Sequence, residues 1–98
     1  MVAPPAQPCP LFPLGRVVAT PGALDALARS GDSAEPLLSR HACGDWGEVC
    51  AEDARANERA LSEGERLLSA YRTRRGVKLW IITEADRSST CLLLPAEY

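Results

Sequence analysis

The chain has 98 residues, of which 46% are hydrophobic and 24% are charged. A chain of this length buries enough surface for one small hydrophobic core, and it leaves no room for a second domain or a deep cofactor cleft. Eleven basic and thirteen acidic residues give a net charge of −2, which excludes a whole-molecule basic field that would draw the protein onto DNA or an anionic membrane.

The N-terminal segment is rich in proline. Five of the eight prolines lie within the first thirteen residues, and proline disfavours both a helix and a central strand. We therefore predict a flexible proline-rich arm over residues 1–13 and a single α+β domain over residues 14–98. The arm lacks the basic and apolar regions of a secretory signal, and no apolar run is long enough to span a bilayer. We accordingly predict a cytoplasmic protein without membrane association, with reduced cysteines.

The middle of the chain is predicted to be helical. Glycines end the apolar stripes of three predicted short helices, over residues 20–31, 32–44 and 45–64. Thr20 followed by Pro21 is typical of an N-cap and a first helical residue. Asp45 and Glu48 have the spacing of a capping box, which predicts that the third helix begins around Trp46 and that this tryptophan plugs the core.

The last third of the chain alternates between apolar and polar residues, which is typical of strands. Strands are predicted over residues 66–73, 77–84 and 89–94. Gly76 supplies the left-handed residue of the first hairpin loop, and residues 14–19 form a further strand or an extended lead-in. We predict an α+β fold in which short N-terminal helices pack on one face of a three-stranded antiparallel C-terminal meander. The third strand would lie at an edge, and its consecutive leucines predict burial on both faces or a dimer contact.

Two turns carry the charged residues that we single out as a candidate binding surface. These residues are Arg72, Arg74, Arg75 and Lys78 on the first hairpin, and Glu84, Asp86 and Arg87 on the second turn. A basic hairpin flanked by aromatic residues suits a phosphate backbone or an acidic protein surface. The same charges also protect a hairpin against edge-to-edge association, and the residues of the second turn are those from which ordinary turns are built.

His41, Cys43 and Cys50 are the candidate residues for a metal site or for a cysteine nucleophile with its base. They lack the paired spacing of zinc ligands and any signature of a cysteine protease. The simpler interpretation treats the cysteines as small apolar residues, with Cys50 pointing inward, and His41 as a cation at the end of a helix dipole. We predict no metal, no cofactor and no catalytic residue.

Several strings of residues resemble a known family. They are Phe12-Pro13-Leu14-Gly15, Thr20-Pro21-Gly22-Ala23-Leu24, Gly44-Asp45-Trp46-Gly47, Thr83-Glu84-Ala85-Asp86-Arg87-Ser88 and the ending Leu92-Leu93-Leu94-Pro95-Ala96-Glu97-Tyr98. From about residue 11 to residue 98 the chain resembles small uncharacterised bacterial proteins that are often carried on plasmids and integrated elements and are labelled plasmid-related. The resemblance implies no activity and does not include the cysteines. It implies a setting such as plasmid maintenance or interference with host defence.

Together these observations predict a non-enzymatic protein-interaction module of a plasmid or mobile element. Its partner would be an unidentified protein, and the chain itself would be a monomer or a weak dimer. The first alternative is a nucleic-acid-associated accessory protein that uses the basic hairpin. The second alternative is a small zinc- or cysteine-dependent protein.

Overall fold

A four-stranded mixed sheet organises the chain. The computed structural model describes residues 10–98. In chain order the elements are β1 (Arg16–Ala19), α1 (Pro21–Ser30), α2 (Glu35–Ala42), α3 (Ala51–Glu63), β2 (Leu67–Arg72), β3 (Lys78–Thr83), β4 (Ser89–Leu93) and a 3₁₀ turn (Pro95–Glu97). The strand order is β1-β4-β3-β2. The α+β class is confirmed, and β2, β3 and β4 form the predicted antiparallel meander. The predicted count of three strands is wrong, because β1 joins the sheet in parallel with β4.

The first helix begins and ends where the sequence predicts. The Thr20 hydroxyl accepts a hydrogen bond from the Ala23 N–H at 3.2 Å, and Pro21 occupies the first turn. At the other end Gly31 adopts a left-handed φ of 69°, and its N–H bonds to the Ala28 carbonyl at 3.2 Å. A side-chain cap at Thr20 and the left-handed backbone of Gly31 therefore fix the two ends of α1.

The third helix begins at Ala51, later than predicted. Cys50 is its N-cap, since the Cys50 Sγ accepts a hydrogen bond from the Asp53 N–H at 3.4 Å. Asp45, which the capping-box spacing assigned to the helix start, instead accepts a bond from the Gly47 N–H at 3.2 Å. Gly47 has a positive φ of 74°. The chain consequently turns at this point rather than entering a helix.

The main core lies between α1, α2 and one face of the sheet. Its buried members are Ala23, Ala26, Leu27, Tyr71, Leu79, Ile81 and Leu92. Leu37 and Leu38 of α2 pack against this cluster. The third helix lies instead beside β2, where the Asn57 amide bonds to the backbone of Leu68. The prediction that all three helices cover one face is therefore correct only for α1 and α2.

A second cluster packs the segment before β1 against the α2–α3 loop, the end of α3 and the start of β2. Its buried members are Phe12, Trp46, Ala60 and Leu67. The predicted role of Trp46 as a core plug is confirmed, since it is 6% exposed. Phe12 falls within the predicted arm and is buried here, and the preceding Leu11 donates its N–H to the Ala42 carbonyl at 2.7 Å. Residues 1–9 of the predicted arm lie outside the described part of the chain.

The fourth strand lies inside the sheet. It pairs with β3 on one side and with β1 on the other, so the prediction that it forms an edge is wrong. Leu92 is buried on the helix side at 1% exposure, and Leu93 is buried on the opposite side at 6%. Burial on both faces is thus achieved within one chain. No helix within residues 10–98 is long and apolar enough to cross a membrane.

Candidate interaction surface

The outer edge of β2 is closed by the chain itself. The Asn57 side-chain amide donates to the Leu68 carbonyl at 2.7 Å and accepts from the Leu68 N–H at 3.0 Å. Further along, Ala70 donates its N–H to the Trp46 carbonyl at 3.0 Å and accepts from the Glu48 N–H at 2.7 Å. These four bonds occupy the outward backbone groups of Leu68 and Ala70, which an edge strand would otherwise present to another chain.

The outer edge of β1 is open. The Arg16 N–H donates to the Ser88 carbonyl, and the Thr20 N–H donates to the Leu92 carbonyl of β4, both at 3.0 Å. Because strand backbone groups alternate in direction, the N–H and carbonyl groups of Val17 and Ala19 point away from β4. In the described part of the chain, β4 is the only strand that pairs with β1. Val17 and Val18 are 44% and 42% exposed, so β1 presents both backbone groups and apolar side chains to solvent.

An apolar groove adjoins this edge on the helix side of the sheet. Its volume is about 890 Å³, and its walls are residues 10–15, Val17 and one side of α2 that includes Leu38 and Ala42. Leu11, at the rim, is 56% exposed. Val17 forms part of the wall, so a strand added at β1 would have its own alternate side chains next to the groove.

Two opposite charges flank the open edge. Arg16 at the start of β1 is exposed, and within residues 10–98 its guanidinium has no hydrogen-bond or ion-pair partner. Glu97 is held at the end of β1, where its carboxylate accepts bonds from the Thr20 hydroxyl, the Gly22 N–H at 3.1 Å and the Leu94 N–H at 2.9 Å. These bonds, the one from Thr20 foremost, lower the pKa of the Glu97 carboxyl. A fixed carboxylate and an unengaged guanidinium therefore mark the two ends of one short strand.

The basic hairpin is partly neutralised within the chain. Arg72 forms an ion pair with Glu48 at 2.9 Å, and Arg74 forms one with Asp32 at 3.1 Å. The backbone N–H of Arg74 also donates to the Asp32 carboxylate at 2.8 Å. Within residues 10–98, neither remaining cation, Arg75 or Lys78, forms an ion pair. Half of the predicted basic surface therefore joins the β2–β3 hairpin to the rest of the fold.

Arg87 has a structural task in the second turn. Its guanidinium donates to the Ala60 carbonyl at 2.9 Å and to the Glu65 carbonyl at 2.6 Å, at the end of α3. It also lies over the Phe12 ring, 5.6 Å from the ring centroid. Arg87 is the one non-glycine residue among residues 10–98 with a positive φ, which is 61°. This side chain therefore closes the C-terminal end of a helix.

The two charged turns are far apart. The basic loop precedes β3 and the second turn follows it, and a strand of six residues separates them by about 17 Å. Glu84 and Asp86 are exposed, and hydrogen bonds from the Ser88 side chain and N–H lower the pKa of Asp86. The structure therefore does not bring Lys78 and Glu84 together into one continuous surface.

His41 lies at the centre of a buried chain of hydrogen bonds. Its Nδ1 meets the Ser69 hydroxyl, and its Nε2 lies 2.9 Å from the Thr83 hydroxyl. The Thr83 hydroxyl is 2.7 Å from that of Thr90, which donates to the Leu14 carbonyl at 2.7 Å. His41 is fully buried. The chain of bonds thus joins α2, all three strands of the meander and the residues that lead into β1.

The direction of these bonds fixes the tautomer of His41. A carbonyl only accepts, so the single hydroxyl proton of Thr90 is used on Leu14, and Thr83 must donate to Thr90. Thr83 then accepts from His41, whose Nε2 carries the proton, while Nδ1 accepts from Ser69. Burial lowers the pKa of His41 to about 4. The interpretation of His41 as a charged partner of a helix dipole is therefore wrong.

The candidate metal and cysteine residues do not converge. Both ring nitrogens of His41 bond to hydroxyl groups, Cys50 is exposed at the N-cap of α3, and Cys43 is half-buried at the end of α2. The inward orientation predicted for Cys50 is therefore wrong. Within residues 10–98, no three His, Cys, Asp or Glu side chains lie close enough together to hold a metal ion.

Sequence reasoning missed the open edge. The β-branched pair Val17-Val18 indicated a strand, but no local signal states that this strand pairs with a segment more than seventy residues later. Arg16, a charged residue directly before that pair, was the remaining sequence signal of an exposed strand.

No protein-family model, no curated protein and no solved structure matches the chain.

Proposed function

We propose that this chain is a cytoplasmic, non-enzymatic protein-interaction module of a plasmid or other mobile element, and that it binds an extended protein segment at the outer edge of β1. The observation that carries the proposal is the difference between the two edges of the sheet. Asn57 and residues 46–48 occupy the edge of β2, while Val17 and Ala19 present backbone groups with which no other described residue pairs, beside an apolar groove.

Strand addition suits this geometry. Main-chain hydrogen bonds to an open edge supply affinity, and pockets for alternate side chains supply specificity. Val17 and Ala19 offer the main-chain groups, and the groove beside Val17 offers apolar space of about 890 Å³. The plasmid setting rests on the resemblance of the residue strings, and fold alone would not supply it.

A single substitution tests the role of the backbone. Val17→Pro removes an outward N–H that no bond within residues 10–98 uses, and proline is tolerated at such outward positions of edge strands. Val17→Thr is the matched control, because it keeps the N–H and the branched shape. Tagged wild-type protein and both variants would be used to purify partners from a bacterial extract with and without nuclease, and circular dichroism would show that each variant is folded.

The proposal expects a stoichiometric protein that survives nuclease, is retained by Val17→Thr and is lost with Val17→Pro. Hydrogen exchange on the purified complex should then show slower exchange of the Val17 and Ala19 amides. A partner that binds the folded Val17→Pro variant equally well would contradict the proposal. Recovery of nucleic acid alone, abolished by Arg75→Ala and Lys78→Ala, would favour the alternative of a nucleic-acid-associated protein.

A further inference from the structure

We propose that the segment bound at the open edge is β1 of a second copy of this chain, so that two sheets join into one continuous sheet of eight strands. This inference rests on the proposed function, because it names the partner of the same edge. The partner strand would run antiparallel to β1, and a two-fold axis perpendicular to the sheet would pass beside Val18. Such an interface is isologous, since each copy offers the same residues to the other.

The direction of the backbone groups selects this register. With Val18 on the axis, Val17 of each copy lies opposite Ala19 of the other. The N–H and carbonyl groups of both residues point toward the partner strand, so each opposed pair exchanges two hydrogen bonds. Four backbone hydrogen bonds form in total. A register centred on Val17 forms only two hydrogen bonds unless Gly15 pairs with Ala19 of the other copy, but Gly15 has a φ of 65° and packs against the backbone of Ser88.

The charges at the ends of β1 match in the same register. Arg16 of one copy lies directly opposite Thr20 of the other, and Thr20 holds the carboxylate of Glu97. The symmetry produces this pairing twice. Arg16 has no partner for its guanidinium within residues 10–98 of its own chain, and no like charges oppose each other along the strand pair. The arrangement of one cation and one anion is thus complementary to itself.

The alternation of side chains also fits a second copy. Val18 of each chain, 42% exposed in the single chain, would meet its symmetry mate on the face opposite the helices. Val17 and the small Ala19 would meet on the helix side, where the groove leaves space. A pairing of four residues buries little area, so we expect a reversible dimer in the micromolar range.

Sedimentation of the full chain from about 5 to about 500 µM measures this association. The wild type is expected to shift from monomer to dimer, and higher salt should weaken the dimer because Arg16–Glu97 pairs are exposed at its rim. Val17→Pro should abolish the dimer, and Val17→Thr should keep it. Arg16→Glu should weaken it at least about tenfold, because two like-charge contacts replace two attractive ones, while Arg16→Lys should stay within about threefold.

Arg16→Glu keeps the test valid even if Val17→Pro fails to fold. Arg16 is exposed, so its replacement leaves the fold intact. Hydrogen exchange of the wild type should also show that the Val17 and Ala19 amides become protected as the concentration rises. A wild type that stays monomeric throughout overturns the second-copy partner, and so does a dimer that neither variant weakens. If the chain is monomeric but captures a different protein that is lost with Val17→Pro and kept with Val17→Thr, the proposed function holds and only the second-copy partner is wrong.

Discussion

The buried histidine makes the stability of this protein depend on pH. His41 is the chain's single histidine, and its folded-state pKa of about 4 lies below its ordinary value of 6.5. Between these two values the unfolded chain binds a proton that the folded chain excludes, so stability falls as pH falls. The stabilisation is fully present above pH 6.5 and is lost progressively down to pH 4.

The size of the effect follows from the two pKa values. The complete shift corresponds to about 3 kcal/mol, and about 2 kcal/mol of this is lost between pH 7.5 and pH 5. At pH 5 a glutamate carboxyl of ordinary pKa is about one-sixth protonated and an aspartate carboxyl less, so each carboxyl contributes far less than His41 to the change in stability over this window. For a domain of this size the loss corresponds to a fall of roughly 8–16 °C in the midpoint of thermal unfolding.

Urea denaturation at pH 7.5, 6.5, 5.5 and 5.0 measures the dependence. His41→Gln is the matched variant, and its stability should be nearly flat over the same range whatever its absolute value. An NMR titration of the single imidazole in the wild type gives the folded pKa directly and should show the proton on Nε2. A wild-type midpoint above pH 6, or an unfolding free energy that does not change from pH 7.5 to 5, would refute the reasoning from burial.

Two further substitutions probe how the sheet is held. Asn57→Ala leaves the N–H and carbonyl of Leu68 without partners, and urea denaturation should show a loss of about 2–4 kcal/mol; a loss below about 0.5 kcal/mol would mean that water replaces the amide. Gly47→Ala would place a Cβ 2.0 Å from the Ala70 carbonyl oxygen, so the melting temperature should fall sharply. Gly31→Ala is its control, because it shares a positive φ but has open space around it; equal losses in the two variants would contradict the steric account.

The parts of the fold that the sequence predicts well are those fixed by neighbouring residues. Thr20 and Gly31 determine the ends of α1 by bonds within one turn, and the β2–β3 hairpin follows from alternation and Gly76. The start of α3 was mispredicted because Asp45 and Glu48 have the spacing of a cap but serve a turn and a bridge to β2. That choice depends on tertiary contacts, which a local pattern does not contain.

The candidate site was the least predictable part for the same reason. Charged residues on turns were predicted to bind a partner because their side chains can form ion pairs and hydrogen bonds. In the structure Arg74 and Arg87 form those bonds within the chain. The open edge consists of backbone groups, which every residue has, and it becomes visible only when the partners of each strand are known. Val17 is therefore unremarkable in sequence and prominent in the structure.

The contrast between the two edges limits what a contact at β1 can be. Proteins protect exposed edge strands with charges, proline, bulges or covering segments. In this fold the covering segments, Asn57 and residues 46–48, lie along β2. Within residues 10–98, the protection of β1 consists of its length of four residues and the charge of Arg16. A strand this short offers about four hydrogen bonds to a partner, so indiscriminate strand pairing would be weak. A partner that also satisfies Arg16 and Glu97 gains further attraction, and the flanking charges therefore decide which strand the edge accepts.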